Sequence, residues 1–172
     1  MHCDYPACES ACIVGAISKK ESGPVLWDTD KCIGCRYCMV ACPFQIPSFQ
    51  YNTALKPDIV KCDFCSHRTK DGRVPACVEI CPVEALTYSR RSALIEIARK
   101  RIENYPDRYG NHIYGEFEAG GTSYLYLAKA DFKELEFPSL KRDPMPGTTE
   151  SIQHGIFAYF VPPLSLYSLL GG

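Results

Sequence analysis

Cys32, Cys35, Cys38 and Cys42, followed by Pro43, are spaced C-x2-C-x2-C-x3-C-P. Three thiolates this close together can wrap one corner of a 4Fe–4S cube. The fourth points away along a short helix and belongs to a neighbouring cube, and the proline ends the turn. The chemistry implied is binding iron and moving single electrons.

Two incomplete copies of this pattern flank the central one. Downstream, Cys62, Cys65, Cys77 and Cys81 read C-x2-C-x11-C-x3-C, with Pro82 following. Each pair keeps its spacing and the loop between the pairs is longer. Upstream, Cys3, Cys8 and Cys12 read C-x4-C-x3-C, with Ile13 where the other copies carry proline. Similar apolar turns follow the first and third copies: Val14-Gly15-Ala16-Ile17 and Val83-Glu84-Ala85-Leu86. The chain therefore contains an internal repeat. A full first copy needs one more cysteine three places before Cys3, so the sequence is expected to continue upstream of Met1.

Two other chemistries compete for these cysteines. Paired C-x2-C sites can bind structural zinc, but a triplet with a trailing Cys-Pro is not a zinc-ribbon pattern. Disulfides are the second alternative. Closely spaced triplets make poor disulfide frameworks, because neighbouring pairs compete for one another. The count of 11 is also odd.

The elements that must position these thiols are short. Ala16–Lys20 and Val25–Asp28 read as strands joined by the turn Glu21-Ser22-Gly23-Pro24. Residues 36–41 and 75–80 read as short helices carrying thiolates. Residues 90–104 read as a longer helix with Leu94, Ile95, Ala98 and Ile102 as its apolar stripe, ended by Pro106. Ser123–Ala128 alternates as a strand would. The fold class expected is α+β: ferredoxin-like cluster domains of short helices and β-hairpins, followed by a C-terminal apolar, transmembrane helix. The expected division is residues 1–89 for the cluster domain, 90–142 for a helix-plus-strand extension packing on it, 143–150 for a linker and 151–172 for a membrane segment.

That last stretch contains no Asp, Glu, Lys or Arg. Ile156, Phe157, Phe160, Val161, Leu164, Leu166, Leu169 and Leu170 fill it, and about 20 such residues suffice to span a bilayer. Pro162-Pro163 would kink the helix. The segment is expected to be cut near its far end. A buried terminal helix of a soluble complex is the alternative. His154 stands where an interfacial anchor, or a contact with a quinone or haem, would be placed.

Some functions find no support. With 172 residues and a formal net charge of −1, nothing calls for nucleic acid. There is no glycine-rich nucleotide loop, no metal-ligand histidine pair and no nucleophile–base arrangement, so a catalytic role is not expected. Lys31, Arg36, Lys61 and Arg68 lie beside cysteines; they would favour a reduced, more negative cluster, or serve as ordinary surface charge. His2 and His67 also adjoin cysteines, but thiolates are plentiful there and neither is expected to bind iron. The run Arg99-Lys100-Arg101 is expected to be a solvated face.

With these motifs, the chain resembles the four-cluster ferredoxin-type electron-transfer subunits of membrane-bound respiratory oxidoreductases. Those subunits serve hydrogenases, formate dehydrogenases and relatives of dimethyl-sulfoxide reductase. Residues 1–12 resemble the second cysteine motif of that family, 32–43 the third and 62–82 the fourth. Tyr114-Gly115-Glu116, Gly120-Gly121-Thr122 and Ser151-Ile152-Gln153-His154 favour the nickel–iron hydrogenase branch over the formate dehydrogenase branch. The family pattern has sixteen cysteines and four clusters.

Carried over residue by residue, that pattern implies one complete 4Fe–4S site here: Cys32, Cys35 and Cys38 with Cys12. Cys3, Cys8 and Cys42 make a partial site, and Cys62, Cys65 and Cys77 make another. Cys81 is the remnant of a fourth. The resemblance implies a non-catalytic relay of electrons between a catalytic oxidoreductase subunit and an integral membrane quinone-reactive or cytochrome b subunit. The place implied is the periplasmic face of the bacterial inner membrane. A soluble polyferredoxin is the remaining alternative.

Overall fold

The structure is a computed structural model that describes residues 1–52, 58–147 and 150–151. Its elements in chain order are α1 (Ala7–Ser10), β1 (Ile17–Lys19), β2 (Val25–Trp27), α2 (Tyr37–Ala41), β3 (Ser48–Gln50), β4 (Asp58–Val60), α3 (Ser66–Lys70), α4 (Ala76–Glu79) and α5 (Arg91–Asn104), followed by a 3-10 turn at Glu118–Gly120. This is a ferredoxin-like arrangement of short helices and hairpins. Most of the predicted elements are present and trimmed by a residue at one or both ends.

The repeat in the sequence is a repeat in three dimensions. α1, α2 and α4 each carry one cysteine and lead to the next: Cys8 to Cys12, Cys38 to Cys42 and Cys77 to Cys81. The second cysteine of each pair lies at or just beyond the end of its helix. After each second cysteine the chain makes the same reversal. The N–H three residues on donates to the cysteine carbonyl, from Gly15 to Cys12 at 3.0 Å, Gln45 to Cys42 at 3.1 Å and Glu84 to Cys81 at 3.3 Å. The donor residue is left-handed each time, with φ of 62° at Gly15, 52° at Gln45 and 48° at Glu84. Glycine takes this conformation freely and the other two take it at a cost.

β1 and β2 pair antiparallel with Ile17 opposite Trp27 and Lys19 opposite Val25. The inward residues Ile17 and Val25 join Cys8, Cys38 and Ile59 in one small core. β3 and β4, which the sequence reading did not pick out, pair antiparallel with Phe49 opposite Ile59. A second core brings Cys3, Cys42 and Phe44 against Tyr114, Ala119 and Phe132, so the chain after residue 90 packs on the thiol-bearing part. α5 buries Ala98 and half-buries Leu94, Ile95 and Ile102, and ends at Tyr105 before Pro106.

The predicted strand over Ser123–Ala128 does not form a ladder. Thr122 bridges to Cys3, whereas Tyr126 bridges to Tyr114. The partner changes within a few residues, so no run of paired backbone develops. The Thr122 bridge is reinforced by Asp4 N–H to the Gly121 carbonyl at 2.9 Å and Ser123 N–H to the His2 carbonyl at 2.7 Å. Arg91 completes the join. Its guanidinium donates to the carbonyls of Thr122 at 2.9 Å and Glu116 at 2.7 Å and lies 3.5 Å from Asp4.

No helix among the described residues is long and apolar enough to cross a membrane. The expected membrane segment 151–172, with His154, lies outside the described residues except for Ser151.

Gly115 sits where no side chain fits. Its φ is +96°, and an added Cβ would collide with the Tyr124 carbonyl and stand 2.8 Å from Thr122 Oγ1. Gly15 is also left-handed, but nothing lies within 4 Å of its Cβ position, and glutamine occupies the matching place in the second repeat. Gly15→Gln should therefore cost about 1 kcal/mol, the conformational term alone. Gly115→Ala should cost at least about 2 kcal/mol, because the collision adds to it. Thermal unfolding of the two variants under anaerobic conditions checks the difference.

Candidate metal centre

All eleven cysteines are free thiols, so the structure gives no support to the disulfide alternative. Cys3, Cys8, Cys38 and Cys42 are buried, Cys12, Cys32, Cys65 and Cys81 half-buried, and Cys35, Cys62 and Cys77 exposed. Among the described residues no three His, Cys, Asp or Glu side chains converge closely enough to share a single ion.

The thiols fall into neighbourhoods that cross the motifs. Burial, and then the thiols of Cys35, Cys32 and Cys12, push the Cys38 thiol up to about 11. Burial, and then Cys42 and Cys3, push Cys8 up to about 12. Burial, and then Cys42, push Cys3 up to about 11. Cys12 of the first motif thus bears on the second-motif triplet, and Cys42 of the second bears on the first-motif pair. Cys38 also bears on Cys8, so the two neighbourhoods adjoin. Cys62 and Cys77 both bear on Tyr124, whose hydroxyl is pushed up by burial, then by its bond to Cys62, then by the charges of Cys62 and Cys77. Cys65 lies between them in the chain.

A second pattern suits sulfur that carries negative charge. The N–H four residues after the last cysteine of a motif turns back to its sulfur, from Ala16 to Cys12 Sγ at 3.2 Å and from Ile46 to Cys42 Sγ at 3.5 Å. The half-buried Cys81 thiol is held below its ordinary value by the N–H groups of Leu86 and Ala85. The left-handed residue described above is what aims these N–H groups. Phe64 N–H donates to Cys62 Sγ at 3.3 Å, and the Tyr124 hydroxyl lies 3.4 Å from the same sulfur. Thiol donors gathered in groups, with backbone N–H turned onto Cys12, Cys42 and Cys62, fit an iron–sulfur cluster, whose iron supplies the positive charge that lets neighbouring thiols ionise together.

The charged neighbours divide. Lys61 Nζ donates to the carbonyls of Val25 at 2.6 Å and Cys62 at 2.9 Å and lies 5.3 Å from the Trp27 ring centre. Burial lowers its pKa, while Cys8, Cys62 and Cys3 raise it, so its charge lies between two thiol neighbourhoods. Arg68 instead ion-pairs with Glu79 and donates to the Val74 carbonyl at 3.1 Å, which closes the long loop between Cys65 and Cys77. Lys31 pairs with Asp28 at 3.5 Å, and Arg36 stacks over Tyr51 at 5.0 Å. His67 lies 3.8 Å from Asp63 on the surface.

His2 is wholly buried, with its pKa lowered to about 3 by burial first and Lys61 next. Tyr124, Lys19 and Arg91 are contributors that the sequence reading missed. Tyr124 stands 62 residues from the cysteine it meets, and nothing local in the sequence marks it. Lys19 binds the carbonyls of Cys3 at 3.0 Å and Asp4 at 2.9 Å, pinning the first-motif backbone.

Thiol groups drawn from successive cysteine motifs on ferredoxin-like hairpins define an iron–sulfur protein of the 4Fe–4S class. Residues 1–91 match the family model described as the 4Fe-4S dicluster domain, and the chain belongs to that family. It is 53% identical over 131 residues to a protein of Nitratidesulfovibrio vulgaris, covering 76% of this chain and 35% of that one. It is 35% identical to the hydrogenase-2 operon protein HybA of Escherichia coli O157:H7, covering 96% of this chain and 58% of that protein. It is 36% identical to the nitrate-inducible formate dehydrogenase iron-sulfur subunit of Escherichia coli strain K12, covering 90% and 53%. The chain spans about half the length or less of these curated relatives.

The crossed neighbourhoods make a sharp expectation for anaerobically purified protein. Cys35→Ala should remove one cluster signal in electron paramagnetic resonance, and Cys42→Ala should spare that signal while weakening a different one. Loss of the same signal in both variants would contradict the crossing.

Proposed function

We propose that the chain is the iron–sulfur subunit that relays electrons between a catalytic oxidoreductase subunit, of the nickel–iron hydrogenase type, and a quinone-reactive or cytochrome b subunit in the membrane. The observation that supports this reading is that Cys12 bears on Cys38 and Cys42 bears on Cys8 and Cys3, so thiols of successive motifs lie near one another along one chain. Cys32, Cys35, Cys38 and Cys12 are assigned to a complete site, and Cys3, Cys8 and Cys42 to a partial one. Cys62, Cys65 and Cys77 are assigned to a third site that lacks one ligand here, and Cys81 to a fourth. When bound, 4Fe–4S clusters accept and release single electrons. The protein's part is to hold and insulate them: thiolates bind iron, backbone N–H groups and Lys61 favour the more negative state, and burial excludes water.

The third-motif face supports docking to further protein. Cys62 and Cys77 are exposed, as are Ile80, Val83 and Leu86 beside Cys81. The subunit is read as non-catalytic, in keeping with its likeness to iron-sulfur subunits of oxidoreductases. The hydrogenase type is favoured by alignment with HybA over 96% of the chain. Alignment with a formate dehydrogenase subunit at 36% identity keeps that branch, and other molybdopterin oxidoreductases, as the second reading. Residues 143–150 are assigned as a linker and 151–172 as a membrane segment anchoring the subunit at the periplasmic face of the inner membrane.

Two measurements test the role. In the complex purified from the native host, replacing Cys32 and Cys35 together should abolish hydrogen oxidation coupled to a quinone analogue while dye-linked activity of the catalytic subunit persists. Full quinone-linked activity in that variant would remove this cluster from the relay, and formate in place of hydrogen as the active donor would select the second reading. Truncation after Glu150 should release the protein from membranes with its iron content unchanged. Retention on membranes stripped of the partner subunits would count against the anchor.

A further inference from the structure

His2 is the largest of the fully buried side chains among the described residues, with 0% of its surface exposed. Its Nδ1 accepts the Val25 N–H at 2.9 Å. A ring nitrogen that accepts carries no proton, so the neutral imidazole has its hydrogen on Nε2. That Nε2 is buried and meets no hydrogen-bond partner. Leaving a buried donor unpaired costs about 1–3 kcal/mol, and folded proteins rarely accept that cost without a purpose. The same tautomer rules out iron ligation: the Nδ1 lone pair is engaged by Val25, and Nε2 is protonated.

The surroundings of the ring identify the acceptor. Phe64, between Cys62 and Cys65, meets the His2 ring edge-on with centroids 4.7 Å apart, and Tyr124 stacks at 6.0 Å. Both residues already reach Cys62 Sγ, Phe64 by donating its N–H at 3.3 Å and Tyr124 through a hydroxyl 3.4 Å away. The Lys61 ammonium binds the carbonyls of Val25 and Cys62 at once, which sets the strand that fixes His2 beside Cys62. The Val25 bond turns Nδ1 toward β2 and therefore Nε2 away from it.

We propose that His2 Nε2–H donates a hydrogen bond to a sulfur of the cluster held by Cys62, Cys65 and Cys77, and raises that cluster's reduction potential as a positioning residue rather than a ligand. The inference rests on the cluster assignment made above. A hydrogen bond to sulfur is stronger when the cluster carries the extra electron, so the donor stabilises the reduced state. Histidine suits the place because one face of the ring can be anchored by a backbone N–H while the other presents a single fixed donor.

The test uses full-length protein, purified anaerobically, 15N-labelled at histidine alone and chemically reduced. Pulsed electron-spin-echo spectroscopy is applied to the signal that Cys62→Ser removes. A weak histidine-nitrogen coupling and a deuterium-exchangeable proton are expected on that signal. The nitrogen coupling should survive His67→Gln and disappear in His2→Phe, and the exchangeable-proton coupling should shrink there to what the Phe64 N–H and the other groups at Cys62 contribute. The midpoint potential of the same signal should shift down in His2→Phe and return toward the original in His2→Gln, whose carbonyl can accept from Val25 while its amide donates. If His2→Phe does not fold, the labelled unsubstituted protein decides alone.

A Cys62-dependent signal without histidine coupling would overturn the inference and leave the cluster assignment standing. So would coupling strong enough for a direct iron–nitrogen bond, or coupling confined to another cluster's signal. Absence of any Cys62-dependent signal would overturn both.

Discussion

Thiols buried side by side resist ionising, because burial and each other's charge both oppose it. Cys8 is pushed up to about 12 and Cys38 to about 11 by these effects. Iron removes the conflict by placing positive charge among the sulfurs, and much of the remaining structure prepares for that charge. The reversal after each motif turns a backbone N–H back onto sulfur, as Ala16 does to Cys12 and Ile46 to Cys42. Gln45 and Glu84 accept left-handed backbone to keep this geometry, where Gly15 takes it without strain.

The same constraint explains the modest ordinary core. The strands of β1 to β4 are three residues each, and the longest helix among the described residues is the fourteen-residue α5. Two small clusters of apolar side chains hold these pieces, and cysteines are members of both. Removing the metal would leave buried polarizable thiols in place of a cross-link, so folding and cluster binding are expected to be one event. The chain beyond residue 90 stiffens the first motif from outside. Gly121 accepts the Asp4 N–H, Arg91 ties the Thr122 carbonyl to the Asp4 carboxylate, Lys19 grips the Cys3 and Asp4 carbonyls from β1, and Tyr124 reaches Cys62.

What could be read from the sequence follows from the range of each interaction. Cysteine spacing is local, and it marked the motifs and the short helices α2 and α4, while the turn Glu21-Ser22-Gly23-Pro24, equally local, marked the β1–β2 hairpin. The crossing of Cys12 and Cys42 came with the family pattern, since no local signal tells which triplet a fourth thiol faces. β3 and β4 were missed because strands of three residues carry too little alternation. Ser123–Ala128 alternates well, yet its pairing is split between Cys3 and Tyr114, which no periodicity can reveal. Arg68 looked like charge beside a ligand and is spent on Glu79 across the Cys65–Cys77 loop. His2 looked incidental; its role depends on the Val25 N–H, 23 residues away.

The central claim is that these thiols hold cubane clusters rather than single ions. Mössbauer spectroscopy of 57Fe-enriched, anaerobically purified protein tests it most directly. The account predicts that the bound iron appears as the delocalised mixed-valence pairs of 4Fe–4S clusters, with acid-labile sulfide in equal amount. Isolated high-spin iron in tetrathiolate sites, without sulfide, would contradict it.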